Sequence, residues 1–109
     1  MSDAVILLTT APAEVGGSLA RRLIDARVAA CVNVLPPMVS VYRWKGEVQT
    51  DRECQLVIKT TADRLDAARQ LLREHHPYEL PECLIVRVDD GDPAYLAWLA
   101  GQVGETDAP

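Results

Sequence analysis

From Val48 to Lys59 the chain alternates. Val48, Thr50, Arg52, Cys54, Leu56 and Ile58 fall on one side, and Gln49, Asp51, Glu53, Gln55, Val57 and Lys59 on the other. A period of two is that of a strand with one buried face. The preceding stretch, 29–44, is also rich in Val, Tyr and Trp, residues that fit a pleated surface, and Lys45-Gly46 separates the two. Residues 29–61 are therefore predicted to form one long β-hairpin with its tip at Trp44-Lys45-Gly46-Glu47. A two-residue loop at the tip would need Lys45 at positive φ, which is costly outside Gly and Asn. A three-residue loop with only Gly46 left-handed is easier, and the choice moves the register by one. Pro36-Pro37 cannot donate to a ladder. They are expected at an edge, a bulge or a bend, and the bend is favoured because it would carry the outer hairpin away from the parent sheet to a neighbour.

The arms, 29–44 and 47–61, hold 16 and 15 residues. Each could reach about 50 Å, whereas a compact domain of this size is roughly 34 Å across. The outer part needs cover, and a second copy of the chain is the simplest source, since exposed strand edges invite pairing. A homo-oligomer is predicted.

The remaining pattern supplies the support. Ala4–Thr9 is a continuous apolar run, suited to a strand buried on both faces. Thr10-Ala11-Pro12-Ala13-Glu14 reads as a helix start with Thr10 near the cap. Val15, Leu19, Ala20, Leu23 and Ile24 then line one side. Gly16-Gly17 near its beginning points to close packing or a loose first turn. Ala62–His76 is the clearest helix, with Leu65, Ala68, Leu71 and Leu72 as its stripe, and Pro77 ends it. Pro81–Val88 reads as a further strand and Pro93–Val103 as a short last helix, with 104–109 expected to fray. The order βαββαβ gives an α+β, ferredoxin-like sandwich: a single domain, 1–109, with an extended central hairpin and a short C-terminal helix.

Composition narrows the function. A net charge of −5 disfavours a nucleic-acid partner, and no apolar run approaches a membrane span. The N-terminal stretch has no basic region before its apolar run, so no signal peptide is expected. Three widely spaced cysteines, Cys31, Cys54 and Cys83, suggest free thiols in a reducing compartment, with the cytoplasm as the default. None has a CxxC partner, and each is expected to pack as a small hydrophobe on a strand.

Two groups of residues carry candidate chemistry. His75-His76 is the metal candidate, because imidazole suits Cu(II), Zn and Ni, and copper heads the divalent affinity order. Consecutive helical residues point about 100° apart, so a shared ion requires Pro77 to release His76 from the helix. The structural alternative is that both histidines simply complement the helix C-terminus. Tyr42, Trp44, Lys45, Glu47, Glu53, Lys59, Tyr78, Glu79 and Glu82 form the second group. Aromatics beside charges on a hairpin suit a subunit interface, and interfaces also form small-molecule clefts. Trp44 and Tyr78 would wall such a cleft while Lys59, Glu79 or Glu82 fix a polar ligand. No Ser/His/Asp or Cys/His pattern supplies a nucleophile, so neither an enzyme nor an organic cofactor is indicated.

ACVNVLP at 30–36, SVYRWKGEVQTDREC at 40–54, IKTT at 58–61, HHPYELPE at 75–82 and YLAWL at 95–99 resemble the CutA divalent-cation-tolerance family. The resemblance covers most of the chain in the family's order. It implies a ferredoxin-like subunit in a tight homotrimer, with a role in tolerance to copper and other divalent cations and copper binding in some members. Some members carry a cysteine on the first strand, just before Thr-Ala-Pro, that is linked to copper. Here that position is Thr9. The trimeric signalling proteins of PII type share this architecture and imply the rival expectation, a small anionic or nucleotide ligand bound between subunits.

Overall fold

In the computed structural model, which describes residues 3–104, strand β1 (Ala4–Ala11) buries alternate residues. Val5, Leu7, Thr9 and Ala11 face a layer of two helices, and Ala4, Ile6, Leu8 and Thr10 face away, half-buried. The apolar run expected to be covered on both sides is thus fully covered on one. Helix α1 (Gly16–Asp25) contributes Leu19 and Leu23 to the core, and helix α2 (Leu65–His75) contributes Ala68 and Leu72. Each large aliphatic side chain so enclosed stabilises the fold by about 1.5–3 kcal/mol.

Helix α1 begins later than the sequence suggests. Thr10 and Ala11 continue β1, and the amides of Val15 and Gly16 both donate to the carbonyl of Pro12, so a backbone turn replaces the expected side-chain cap. At its other end Arg27 adopts φ 60°. Arg27 N–H donates to Ile24 O, and Val28 N–H to Leu23 O, the paired bonds of a Schellman stop.

The first hairpin arm is not one strand. It divides into β2 (Cys31–Val34) and β3 (Met38–Trp44), both antiparallel to β4 (Glu47–Thr61). Val34 lies opposite Leu56 and Met38 opposite Glu53, so residues 35–37 face only Cys54 and Gln55. Leu35 still donates to Gln55 O at 2.9 Å; the two prolines, lacking N–H groups, are accommodated in a bulge. At the tip Trp44 pairs with Glu47, with Lys45 at φ 50° and Gly46 at φ 83°. These positive angles are those of a two-residue type I′ turn, the costlier of the two loops that the sequence leaves open.

A single turn of 3-10 helix (Ala62–Arg64) leads into α2; β5 (Leu84–Arg87), shorter than expected, and α3 (Pro93–Gly101) are the last strand and helix among the described residues. Asp92 caps α3 by accepting from Tyr95 N–H at 3.1 Å, with Pro93 in its first turn. The sheet order is β2-β4-β1-β5, with β3 continuing beside β4. This is the ferredoxin-like arrangement. The expected frayed tail falls mostly outside the described residues; Gly104 itself is tied back, its N–H donating to Arg27 O at 3.1 Å.

Candidate functional site

The bulge decides which side chains build the site. In β2, Val32 and Val34 share a face with Ile58 and Leu56, the helix-covered side. One extra residue then exchanges the faces of everything beyond it. Met38, Ser40, Tyr42 and Trp44 pair with Glu53, Asp51, Gln49 and Glu47 on the opposite side of the sheet. Tyr42 there donates to Asp51, its diagonal cross-strand neighbour. This bond to a carboxylate, more than burial, raises the Tyr42 phenol above its ordinary range.

The facing wall comes from the segment after α2. Pro77 holds His76 in an extended conformation (φ −78°, ψ 132°), which turns its ring away from the helix and into the fold. His76 Nε2 lies 2.7 Å from Thr10 O, and Nδ1 lies 3.1 Å from Tyr78 N. A carbonyl only accepts and an amide N–H only donates. His76 is therefore the neutral tautomer, donating through Nε2 and accepting at Nδ1. Its ring also contacts Tyr78, centroids 4.8 Å apart. Tyr78 Oη in turn donates to Glu53 Oε2 at 2.8 Å. Burial first, and then this bond, drive the Tyr78 phenol well above its usual range, so it stays a neutral donor. Gln55 Nε2 bridges Thr9 O at 2.8 Å and Glu82 Oε2 at 2.9 Å, fixing the far end of the wall.

Between hairpin and wall lies a groove of about 820 Å³. Of the nine residues singled out in the sequence, Tyr42, Trp44, Glu53, Tyr78, Glu79 and Glu82 line it. Lys45 sits at its mouth, 3.9 Å from Glu79 Oε2, with its ammonium 5.7 Å from the Trp44 ring centre. Glu47 lies at the hairpin tip, and Lys59 lies in mid-sheet beside Ile6 and Cys31; neither lines the groove. Sequence reasoning missed Thr10, Gln55, Met38 and Leu80. Gln55 was the detectable one, since the period of two places it on the same side as Glu53.

The histidine pair is not brought together as a chelate. His75 is exposed, whereas both nitrogens of His76 are engaged, leaving no lone pair for an ion. No group of three or more His, Cys, Asp or Glu side chains suited to a metal ion occurs among the described residues. Only Cys54 of the three cysteines is a core residue, its thiol pushed up chiefly by burial. Cys31 is half-buried, and Cys83, expected to be buried in a strand, is exposed just ahead of β5.

A family model described as CutA1 divalent ion tolerance protein matches residues 4–102. The divalent-cation tolerance protein CutA of Yersinia pestis (strain Pestoides F) is 40% identical over 99 residues, which is 90% of this chain and 83% of that protein. Among solved structures, CutA1 from Oryza sativa superposes with a TM-score of 0.91 at 38% identity, covering 96% of this chain and 97% of that one. The apo form of a protein described as PII-like protein CutA from Nostoc sp. PCC 7120 gives 0.87 at 36% identity, covering 92% and 97%.

Proposed function

The chain belongs to the CutA1 divalent ion tolerance family, and from that premise we propose that it serves in divalent-cation tolerance, copper foremost, as a cytoplasmic homotrimer that binds the ion and catalyses no reaction. The observation that carries this reading is the family match over residues 4–102. Two structural features support the assembly. The sheet face away from α1 and α2 presents Ile6, Leu8, Val57, Leu84 and Val86 side by side, with Leu84 56% and Val86 46% exposed. The outer hairpin adds Val39, Val41 and Val48, each 60% exposed or more. Apolar patches of this kind mark interaction surfaces. All three cysteines are free, which suits a reducing compartment.

For the ion, His75 is the available imidazole, and His76 would have to give up both of its hydrogen bonds to join it. Native mass spectrometry with and without Cu(II) tests the reading. A threefold mass that takes up copper in regular ratio to subunits, with uptake reduced in His75→Ala, is the expected result. A trimer indifferent to copper would overturn the metal role, and a monomer would overturn the assembly. His76→Ala is the wrong probe, because it removes two internal hydrogen bonds and costs about 1–3 kcal/mol of stability whatever the metal does.

The groove favours a second reading, a signalling module that binds a small ligand between subunits. The likeness to the Nostoc protein described as PII-like supports it. A thermal-shift screen separates the two, since any binder of the native state raises apparent stability.

A further inference from the structure

We propose that the groove between the outer hairpin and residues 77–82 binds a small organic cation, an aliphatic ammonium or diammonium compound, and not an anion or nucleotide. The inference rests on the groove's own chemistry and is independent of the copper reading, so either can fail alone.

Charge is the first reason. Three carboxylates, Glu53, Glu79 and Glu82, line the groove, and no lysine or arginine does among the described residues. A phosphate or carboxylate ligand would meet repulsion on entry, whereas an ammonium ion would be drawn in.

Glu53 is the second. It is only 7% exposed, yet Tyr78 Oη is its one donor among the described residues, and that donor reaches only Oε2. Oε1 is not among the buried unpartnered atoms, so the small exposure that Glu53 keeps includes this oxygen, which is accessible along the groove. Glu82 is half-buried: Oε2 accepts from Gln55, and Oε1 has no partner among the described residues. Two carboxylate oxygens thus remain open along one groove.

Lys45 is the third reason, because the chain already shows how a cation is held here. Its ammonium occupies the mouth, 5.7 Å from the Trp44 ring centre and 3.9 Å from Glu79 Oε2. An aromatic face paired with a carboxylate is the combination that recognises ammonium groups. Elsewhere in the lining Tyr42 and Tyr78 supply two more rings, with Tyr78 bonded to Glu53 and no side-chain cation among the described residues that line the groove. The arrangement suits a ligand that displaces Lys45 from Trp44 with one end and reaches Glu53 with the other. The volume, about 820 Å³, is ample for a short alkyl diamine.

The test is isothermal titration of the full chain with 1,4-diaminobutane at low salt. Saturable binding is expected, weakened about tenfold or more by Glu53→Gln or Glu82→Gln, which keep size and hydrogen bonding but remove charge. Lys45→Met, which frees the mouth, should tighten binding by about threefold, the scale of an exposed ion pair. Glu14→Gln, on the turn before α1 and outside the groove, should change nothing. Linear, unsaturable heats would overturn the proposal. So would wild-type affinity in both groove variants, an equal loss in Glu14→Gln, or displacement of the diamine by ATP at constant ionic strength. Glu82→Gln and Lys45→Met keep the test decisive if Glu53→Gln does not fold.

Discussion

An added Cβ on Gly16 would lie 2.4 Å from Cys54 Sγ and 3.2 Å from Val34 Cγ1, so α1 can start against β2 and β4 only with glycine there. One residue on, a Cβ at Gly17 meets nothing within 4 Å. The two therefore respond oppositely. Gly16→Ala overpacks a buried contact and should cost about 1–3 kcal/mol. Gly17→Ala should add about 0.5–1 kcal/mol from helix propensity. Denaturant midpoints at one fixed protein concentration distinguish them, and equal shifts would refute the packing account. The sequence offered close packing or a loose turn for the pair; nothing in it says that each glycine would take a different reason. Tyr78 makes a pH prediction of its own. Its folded pKa is raised, so its contribution to stability is complete below the ordinary tyrosine value of 10.0 and is lost as pH rises beyond it. Tyr78→Phe should flatten the alkaline fall in stability and delete the last phenol in a tyrosinate absorbance titration. If the phenol lost were instead one that titrates near the ordinary 10.0, the Tyr78–Glu53 bond does not form.

At the level of elements, the hairpin shows why some of the structure was legible and some was not. Alternation along β4 is unbroken, and its register against β1 follows from it. The prolines announced a disturbance in the opposite arm. Its consequence was hidden, because a bend and a one-residue bulge look alike in sequence while only the bulge exchanges faces. Without that exchange Tyr42 and Trp44 would project on the side of Val32 and Val34, and the groove would lose two of the three aromatic rings that line it. The loop at the tip was open between two and three residues for a related reason. Trp44 pairing with Glu47 leaves two residues to turn, and cross-strand pairing outweighs the local cost of Lys45 at φ 50°. Gly46 has open space around it, so Gly46→Ala should lose about 1–2 kcal/mol from backbone strain at φ 83° alone. Lys45→Asn, better suited to positive φ, should gain about 0.5 kcal/mol after loss of the exposed pair with Glu79. If Lys45→Asn destabilises, the ion pair at the groove mouth is worth more than its exposure suggests.

The whole molecule measures 48 × 26 × 23 Å with a radius of gyration of 14.6 Å, against about 13 Å for a compact chain of this length. The excess lies along the hairpin. β4 continues its alternation beyond the last residue that α1 or α2 covers, so Val48, on the side read as buried from sequence, is 62% exposed. Val39 and Val41 join it on that side through pairing with Arg52 and Thr50. A period-two pattern reports that a face is covered without saying by which chain, and here the subunit's own helices do not reach it. In the proposed trimer these valines would be covered by a neighbouring subunit, giving the outer hairpin a packed face that an isolated hairpin lacks. Placing a charge there should break the assembly before it breaks the fold. Val41→Glu puts a carboxylate at a position 66% exposed in the single subunit, where a monomer tolerates it with a change of about 0.5 kcal/mol or less. In an interface core the same charge would be desolvated without a partner, at several kcal/mol. Native mass spectrometry should then show the single-chain mass rising at the expense of the threefold one, while far-ultraviolet circular dichroism stays unchanged. A trimer of undiminished stability would move the interface off the hairpin and leave the sheet face around Leu84 and Val86 to carry it. Loss of both mass and secondary structure would mean that the hairpin has no independent stability, and that folding and association are one event.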